Sequence, residues 1–379
     1  MIAYLTLGEK YSGIFSGQVV DVCYLLSEQT GENVALICFV SLRNFKKEKI
    51  KIKNAYQNSI VLPLFPKLKN WRFNIILLFL VTKFKKYDTL ICRNSIPATL
   101  GLKLKKRAII KNVILDGRGA EYEQYIEYNI LSNYKLEKKL RQVESDAVKN
   151  VDFRIAVSEK LVEYWKNTFN YYKNDHIIIP CSLNRIHENL ESKKIHRKDF
   201  GFKNSDVVLV YCGSISGWQS FKKMFKFIKS QILQNKDIKV LLLTKELDEV
   251  KILVSEFPDR VICTWCSEKD VLPIIELGDY GLIIRDNTIT NEVACPVKFA
   301  EYLYAGLKVI ISEKIGDCNS FLLENNCGIS ANKINRSLNR PTIDEKTFFK
   351  SLALKKFSKN HEIINSKYKL LLKKIRKNA

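Results

Sequence analysis

The chain has 379 residues, 46% of them hydrophobic, and a formal net charge of +23. That apolar content excludes a disordered chain, and the length suits two domains of about 150–200 residues each. The ten Cys follow no framework spacing, and Met1–Leu7 lacks a basic signal region and reads as a strand, so a reduced, cytoplasmic setting is expected.

In chain order, short apolar runs alternate with longer amphipathic ones, the pattern of a parallel sheet with crossover helices. Ile2–Leu7 reads as a strand, Lys10–Gln18 as a Gly/Ser loop, Val19–Gln29 as a helix and Asn33–Val40 as a strand. Ser41–Asn58 is a basic loop or helix, and Ser59–Leu64 is a short strand. Trp71–Lys85 is an apolar helix, either buried or lying at a membrane interface. Its apolar run is too short to span a bilayer. Strand Thr89–Arg93, helix Pro97–Lys106 and strand Asn112–Leu115 lead to Asp116-Gly-Arg-Gly119. One long charged helix is expected from about Glu121 to Asn150, then strand Phe153–Val157, Ser158 as an N-cap, and strand His176–Ile179.

The polar segment from 181 to 204 reads as a linker between domains 1–181 and 205–345. The alternation then restarts with strand Val207–Cys212, loop Gly213–Gly217, helix Phe221–Gln234, strand Lys239–Leu243, helix Lys245–Glu256, strand Val261–Thr264, helix Lys269–Leu277 and strand Gly281–Ile284. Cys295–Ile310 reads as loop, helix, Gly turn and buried strand, with Pro296 in the first helical turn and Gly306 left-handed at its end. Helices over Gly316–Asn325, Glu345–Lys356 and His361–Lys377 close the chain.

The charge is unevenly spread. Ser41–Lys111 holds 18 Lys/Arg against Glu48 and Asp88, a net +16, and Lys350–Ala379 holds 10 against Glu362, a net +9. The rest sums to about −2. Such concentration points to an anionic partner surface, either nucleic acid or the inner membrane leaflet. No nucleic-acid-binding motif is present, which favours the membrane.

The start of the 296–304 helix offers free N–H groups and a partial positive charge, which suit a diphosphate. Glu301, about one turn further in, is placed to accept from ribose hydroxyls. The same residues also fit an ordinary αβ unit with a surface Glu and Lys. The segment resembles the donor-site motif of GT-B glycosyltransferases of the family-4 type, in the form P-x-K-x-x-E-Y-L-x-x-G-x-x-V-I, matched by Pro296, Lys298, Glu301, Tyr302, Leu303, Gly306, Val309 and Ile310. The second acid of the common pattern, eight positions before Glu301, is Val293 here, with Glu292 adjacent.

The resemblance implies two Rossmann-like domains facing a cleft, with the last helix (361–377) crossing back to the N-terminal domain. It implies a retaining glycosyl transfer from a nucleoside-diphosphate sugar, UDP- or GDP-linked, without a metal or other cofactor. It also assigns residues. Gly213 and Ser214 resemble the phosphate loop, although the family's usual Arg is Ser214 here. Pro296, Val297, Lys298 and Glu301 form the donor motif, and Glu301 corresponds to the Glu that holds the ribose.

Other candidates come from their positions at strand ends. Thr244 could meet the donor, and Arg285 could fork onto the diphosphate beside Lys298, although both cations could equally be solvated. Asp116 could act as base or orient an acceptor hydroxyl, or simply stabilise an Asp-Gly turn. Arg118 could bind an anionic acceptor or pair with Glu121 or Glu123, and Gly17 and Gln18 would face the acceptor. Cys263-x-x-Cys266 has no second ligand pair, so no zinc site is expected.

The expected acceptor is a lipid-linked or surface-polysaccharide intermediate, of bacterial lipopolysaccharide or capsule type, at the inner membrane face. A GT-B-fold sugar-nucleotide epimerase and a basic nucleic-acid-binding protein are the alternatives. The epimerase needs several acid/base groups in the cleft, whereas His176, His187 and His196 cluster around the expected linker and His361 lies in the tail.

Overall fold

The computed structural model describes residues 1–66, 68–130, 134–185, 195–214, 217–245, 248–334 and 337–377. Of the expected linker, residues 186–194 lie outside these, as do 215–216 of the glycine loop and 246–247 at the start of the expected Lys245–Glu256 helix.

The chain divides into two compact units. One is Met1–Asn184 together with the C-terminal helix, and the other is Arg185–His361. The first unit is built on seven parallel strands, β1 (Ile2–Leu7), β2 (Ala35–Ser41), β3 (Ser59–Leu64), β4 (Thr89–Arg93), β5 (Asn112–Gly117), β6 (Phe153–Ala156) and β7 (His176–Ile178), in the order β3-β2-β1-β4-β5-β6-β7. The second has six, β8 (Val207–Cys212), β9 (Ile238–Leu243), β10 (Val261–Thr264), β11 (Tyr280–Ile283), β12 (Lys308–Ile311) and β13 (Gly328–Ser330), in the order β10-β9-β8-β11-β12-β13. All pairings in both sheets are parallel.

Helices cover both faces of such sheets, so central strands read as continuous apolar runs. Val207-Val-Leu-Val-Tyr-Cys212 is buried throughout. Pro63, which cannot donate to a ladder, sits in β3 at the sheet edge.

Strand order reverses between β1 and β4 in the first sheet and between β8 and β11 in the second. At such switch points ligands bind outside the carboxyl ends of the strands. The residues just beyond β1, β4, β8 and β11 therefore border the two switch points.

The last helix, Glu362–Lys377, returns to the first unit as expected. Its Ile364, Tyr368, Leu371, Leu372 and Ile375 join the core that contains Leu25, Leu26 and Ile177. Gln29 donates to the Asn365 backbone and side chain, and Lys367 Nζ to Ile178 O.

Three expectations are corrected. Lys10–Gln18 is not a loop throughout, because Ser12 caps a helical segment that begins at Gly13, passes through a π turn over Ser16–Val20 and continues as Asp21–Thr30. The expected Glu121–Asn150 helix is two helices, Glu121–Glu127 and Tyr134–Asn150, the first ending where Asn129 turns left-handed (φ 47°). Pro296 is the N-cap of Val297–Tyr304 rather than a residue of its first turn, with extended backbone (ψ 123°). Gly306 is left-handed (φ 77°) as expected and turns the chain into β12.

Candidate functional site

The switch point of the second sheet gathers the donor-motif residues. β8 ends at Cys212, followed by Gly213, whose N–H donates to Leu243 O, and by exposed Ser214, whose carbonyl accepts from Tyr211 Oη. Beside it, β11 ends before Arg285. This side chain is buried, with Nη2 3.1 Å from Gln219 Oε1 and Nη1 3.4 Å from Asn291 Oδ1. The Arg285 N–H donates to Ser312 Oγ at 2.7 Å, and its carbonyl accepts from Lys223 Nζ at 2.7 Å. Helix 221–234 and the ends of β11 and β12 thus hold one arginine from three sides.

The Val297–Tyr304 helix packs directly on β11. A Cβ at Gly281 would lie 2.2 Å from the Tyr302 ring, so only glycine permits this approach. The Tyr302 hydroxyl then accepts from the Cys212 N–H at 2.9 Å, pinning the helix to the end of β8. The helix start is thereby fixed beside Gly213. Lys298 Nζ donates to Glu301 Oε2 at 2.5 Å, with Glu301 buried and Lys298 half-buried. Burial disfavours the Lys298 ammonium, but Cys212 and Glu301 more than offset it and hold the group above the ordinary lysine range. Burial raises the Tyr211 hydroxyl above its usual range, while the nearby Arg285 and Lys298 charges oppose this. Tyr211 therefore lies within the field of both cations.

Thr244, at the end of β9, has a buried hydroxyl with no hydrogen-bond partner among the described residues. Val293 is buried and Glu292 half-buried at the end of the short Ile289–Glu292 helix. Gln219, Asn291 and Ser312 are not singled out by the sequence, and Tyr302 is named there only as a motif match, without its bond to Cys212. The available signal was that Ser312 follows β12, the strand that pairs with β11.

In the first unit, Asp116 closes β5 and has no exposed surface. Its Oδ2 accepts from the Tyr4 hydroxyl and from Arg118 (Nη2 at 2.8 Å, Nε at 3.1 Å), and Arg93 Nη1 lies 3.8 Å away. Its Oδ1 has no hydrogen-bond partner among the described residues. Arg93, at the end of β4, also donates to Glu9 beyond β1 at 2.8 Å, which closes the cluster across the switch point. Arg118 lies near Cys181 and Tyr368. Asp116 is thus enclosed by Tyr4, Arg93 and Arg118.

Gly17 and Gln18 are buried in the helical segment. Gln18 Nε2 donates to Ser182 O at 2.6 Å and its Oε1 accepts from Ser182 N at 3.3 Å, while Gly17 lies against Asn184. These two residues hold the segment that leaves the first unit.

Two parallel Rossmann-like sheets, each with its polar cluster at the switch point, and a last helix returned to the first unit define the GT-B fold. No protein-family model matches the chain, and no curated protein is similar to it in sequence. Solved structures match over nearly the whole chain. Sucrose-phosphate synthase of Thermosynechococcus elongatus is 14% identical, with 100% of this chain and 99% of that one covered and a TM-score of 0.74. A glycosyltransferase of Rickettsia africae is also 14% identical, with 100% and 99% covered and a TM-score of 0.69. Anabaena HepE in complex with UDP and glucose is 12% identical, with 99% of each chain covered and a TM-score of 0.68. At these identities the likeness is one of fold.

Proposed function

We propose that this chain is a retaining glycosyltransferase that moves a sugar from a nucleoside-diphosphate sugar, UDP- or GDP-linked, to a hydroxyl of a lipid-linked or surface-glycan acceptor at the cytoplasmic membrane face. The observation that carries the donor half is the convergence of Gly213, Arg285 and the start of the Val297–Tyr304 helix at one switch point. HepE, one of the fold neighbours, is a complex with UDP and glucose.

In this reading the helix start, Arg285 and Lys298 receive the diphosphate, and Gly213 and Ser214 let the backbone approach it. Glu301 accepts from the ribose hydroxyls, and Thr244 supplies a hydroxyl to the donor. The bond from the anomeric carbon to the β-phosphate oxygen breaks, and its electron pair leaves with the diphosphate. The acceptor oxygen forms the new bond on the same face, and its proton passes to the leaving phosphate oxygen. Preorganised cations and N–H groups stabilise the charge that develops there. Asp116, itself held by Tyr4, is a positioning residue that orients Arg118 toward an anionic acceptor.

The membrane half is supported by the net +16 over Ser41–Lys111, all within the first unit. The test is incubation with labelled UDP- and GDP-sugars and an anionic membrane extract. Label transferred to lipid-extractable or glycan material with the donor's anomeric configuration supports the reading. Label released only as free sugar, or inverted in the product, contradicts it.

A further inference from the structure

Helix Asn74–Lys85 is apolar nearly all round, and its two polar side chains before Lys83 face inward. The face turned to the protein carries Asn74, Leu78 and Thr82. The two polar side chains there are satisfied locally, Asn74 by Phe65 N and Trp71 O and Thr82 by Leu78 O. The outward face carries Ile76 (55% exposed), Leu80 (43%) and Phe84 (79%), preceded by Phe73 (54%). Their spacing of three to four residues forms one continuous stripe. Phe65, partly exposed, packs on Phe73 with ring centroids 5.8 Å apart and widens it.

Cations border this stripe. Lys69, Arg72, Lys83, Lys85 and Lys86 flank it in sequence, with no acid between Ser59 and Tyr87. Trp71 lies beneath Arg72 and Lys103, 5.4 and 5.3 Å from the ring centroid. Burial lowers the Lys103 ammonium below its ordinary range, and the Arg72 and Arg107 charges lower it further. Among the described residues no carboxylate offsets these charges on Lys103. The acid nearest the helix in sequence, Asp88, is paired with the Met1 ammonium at 2.7 Å.

We propose that this helix is the membrane-docking element, with Phe73, Ile76, Leu80 and Phe84 entering the acyl boundary of an anionic bilayer and Arg72, Lys103 and Arg107 meeting lipid phosphates. The inference deepens the membrane-facing part of the proposed function and rests on it. An apolar stripe rimmed by cations is complementary to acyl chains beneath anionic headgroups. A second copy of this chain fits poorly, because a two-fold contact through the stripe would bring like charges together.

The test is co-sedimentation of the full chain with phosphatidylcholine vesicles, with and without phosphatidylglycerol. Wild type is expected to bind only the phosphatidylglycerol vesicles. Leu80→Ser with Phe84→Ser, both exposed and so compatible with folding, is expected to weaken binding about tenfold or more. Arg72→Gln with Lys103→Gln is expected to weaken it and flatten its salt dependence. A circular dichroism melt matching wild type confirms that the variants fold. If wild type binds and the Leu80/Phe84 variant binds equally well, the helix is not the docking element, although the membrane reading survives. If wild type binds neither vesicle, both fall. If the stripe variant abolishes a wild-type dimer in light scattering, the occupant is a second copy and the proposal is overturned.

Discussion

Glu301→Gln keeps the shape of the side chain and removes its charge. In the protein alone the cost is moderate: the substituted amide can still accept from Lys298, and the charge lost from this partly buried pair is worth about 1–2 kcal/mol. In the donor complex it removes a buried carboxylate that accepts from ribose hydroxyls. Hydrogen bonds to a charged group contribute roughly 1.5–3 kcal/mol, so affinity should fall about 10- to 150-fold. Stability and affinity are read separately, by melting and by titration, which makes the test discriminating. Calorimetric titration with UDP or GDP, whichever wild type binds, should show the loss, while the ligand-free melting temperature stays within a few degrees. Unchanged nucleotide affinity in a folded variant would refute the ribose role. A loss of affinity matched by a collapse of the melt would refute the reasoning that separates binding from stability.

Other outcomes follow from the same geometry. Gly281→Ala drives a Cβ into the Tyr302 ring and should destabilise the second unit by about 1–3 kcal/mol in urea unfolding, weakening donor binding because the helix start moves. Gln18→Ala strands the Ser182 backbone groups and should cost about 2 kcal/mol of stability while leaving nucleotide affinity unchanged, which calorimetry beside urea melts would check. Burial pushes the Glu121 carboxyl up to about 7, and burial together with the Glu121 charge raises Glu144 further. An unfolded Glu titrates near 4.3, so between about 4.3 and 7 the folded state holds more protons and stability falls as pH rises. Thermal melts across that window should show the fall, and Glu121→Gln should flatten it. An unchanged slope in the variant would count against the pair as its source.

The residues that could be read ahead of the structure are those whose chemistry is local. Gly306 needed only the helix-to-strand turn around it, and Arg285 only a strand end before it. The two sheets followed from apolar runs such as Val207–Cys212. What escaped sequence reading depends on distant partners. Gln18 is spent on Ser182, 164 residues away, so its position after the first strand misleads about its use. Gln219 reaches Arg285, 66 residues on, only because β8 and β11 are neighbours in the sheet, which no local pattern encodes. The Asn74–Lys85 helix is apolar nearly all round, so its periodicity does not say which side faces the protein. Packing of Trp71 and Leu78, with Asn74 and Thr82 satisfied within the turn, decides it. The break near Asn129 has no Pro or Gly to announce it.

The central claim is that the second unit binds a nucleoside-diphosphate sugar at the β8–β11 switch point. The most direct measurement is the thermal shift of the full chain with UDP-, GDP-, ADP- and CMP-sugars. A ligand at a hundred times its Kd stabilises by about 2.7 kcal/mol, which is readily seen. The account predicts stabilisation by a UDP- or GDP-sugar, cut by half or more in Glu301→Gln and absent with the corresponding nucleoside. A folded protein that none of these nucleotide sugars stabilises would contradict it.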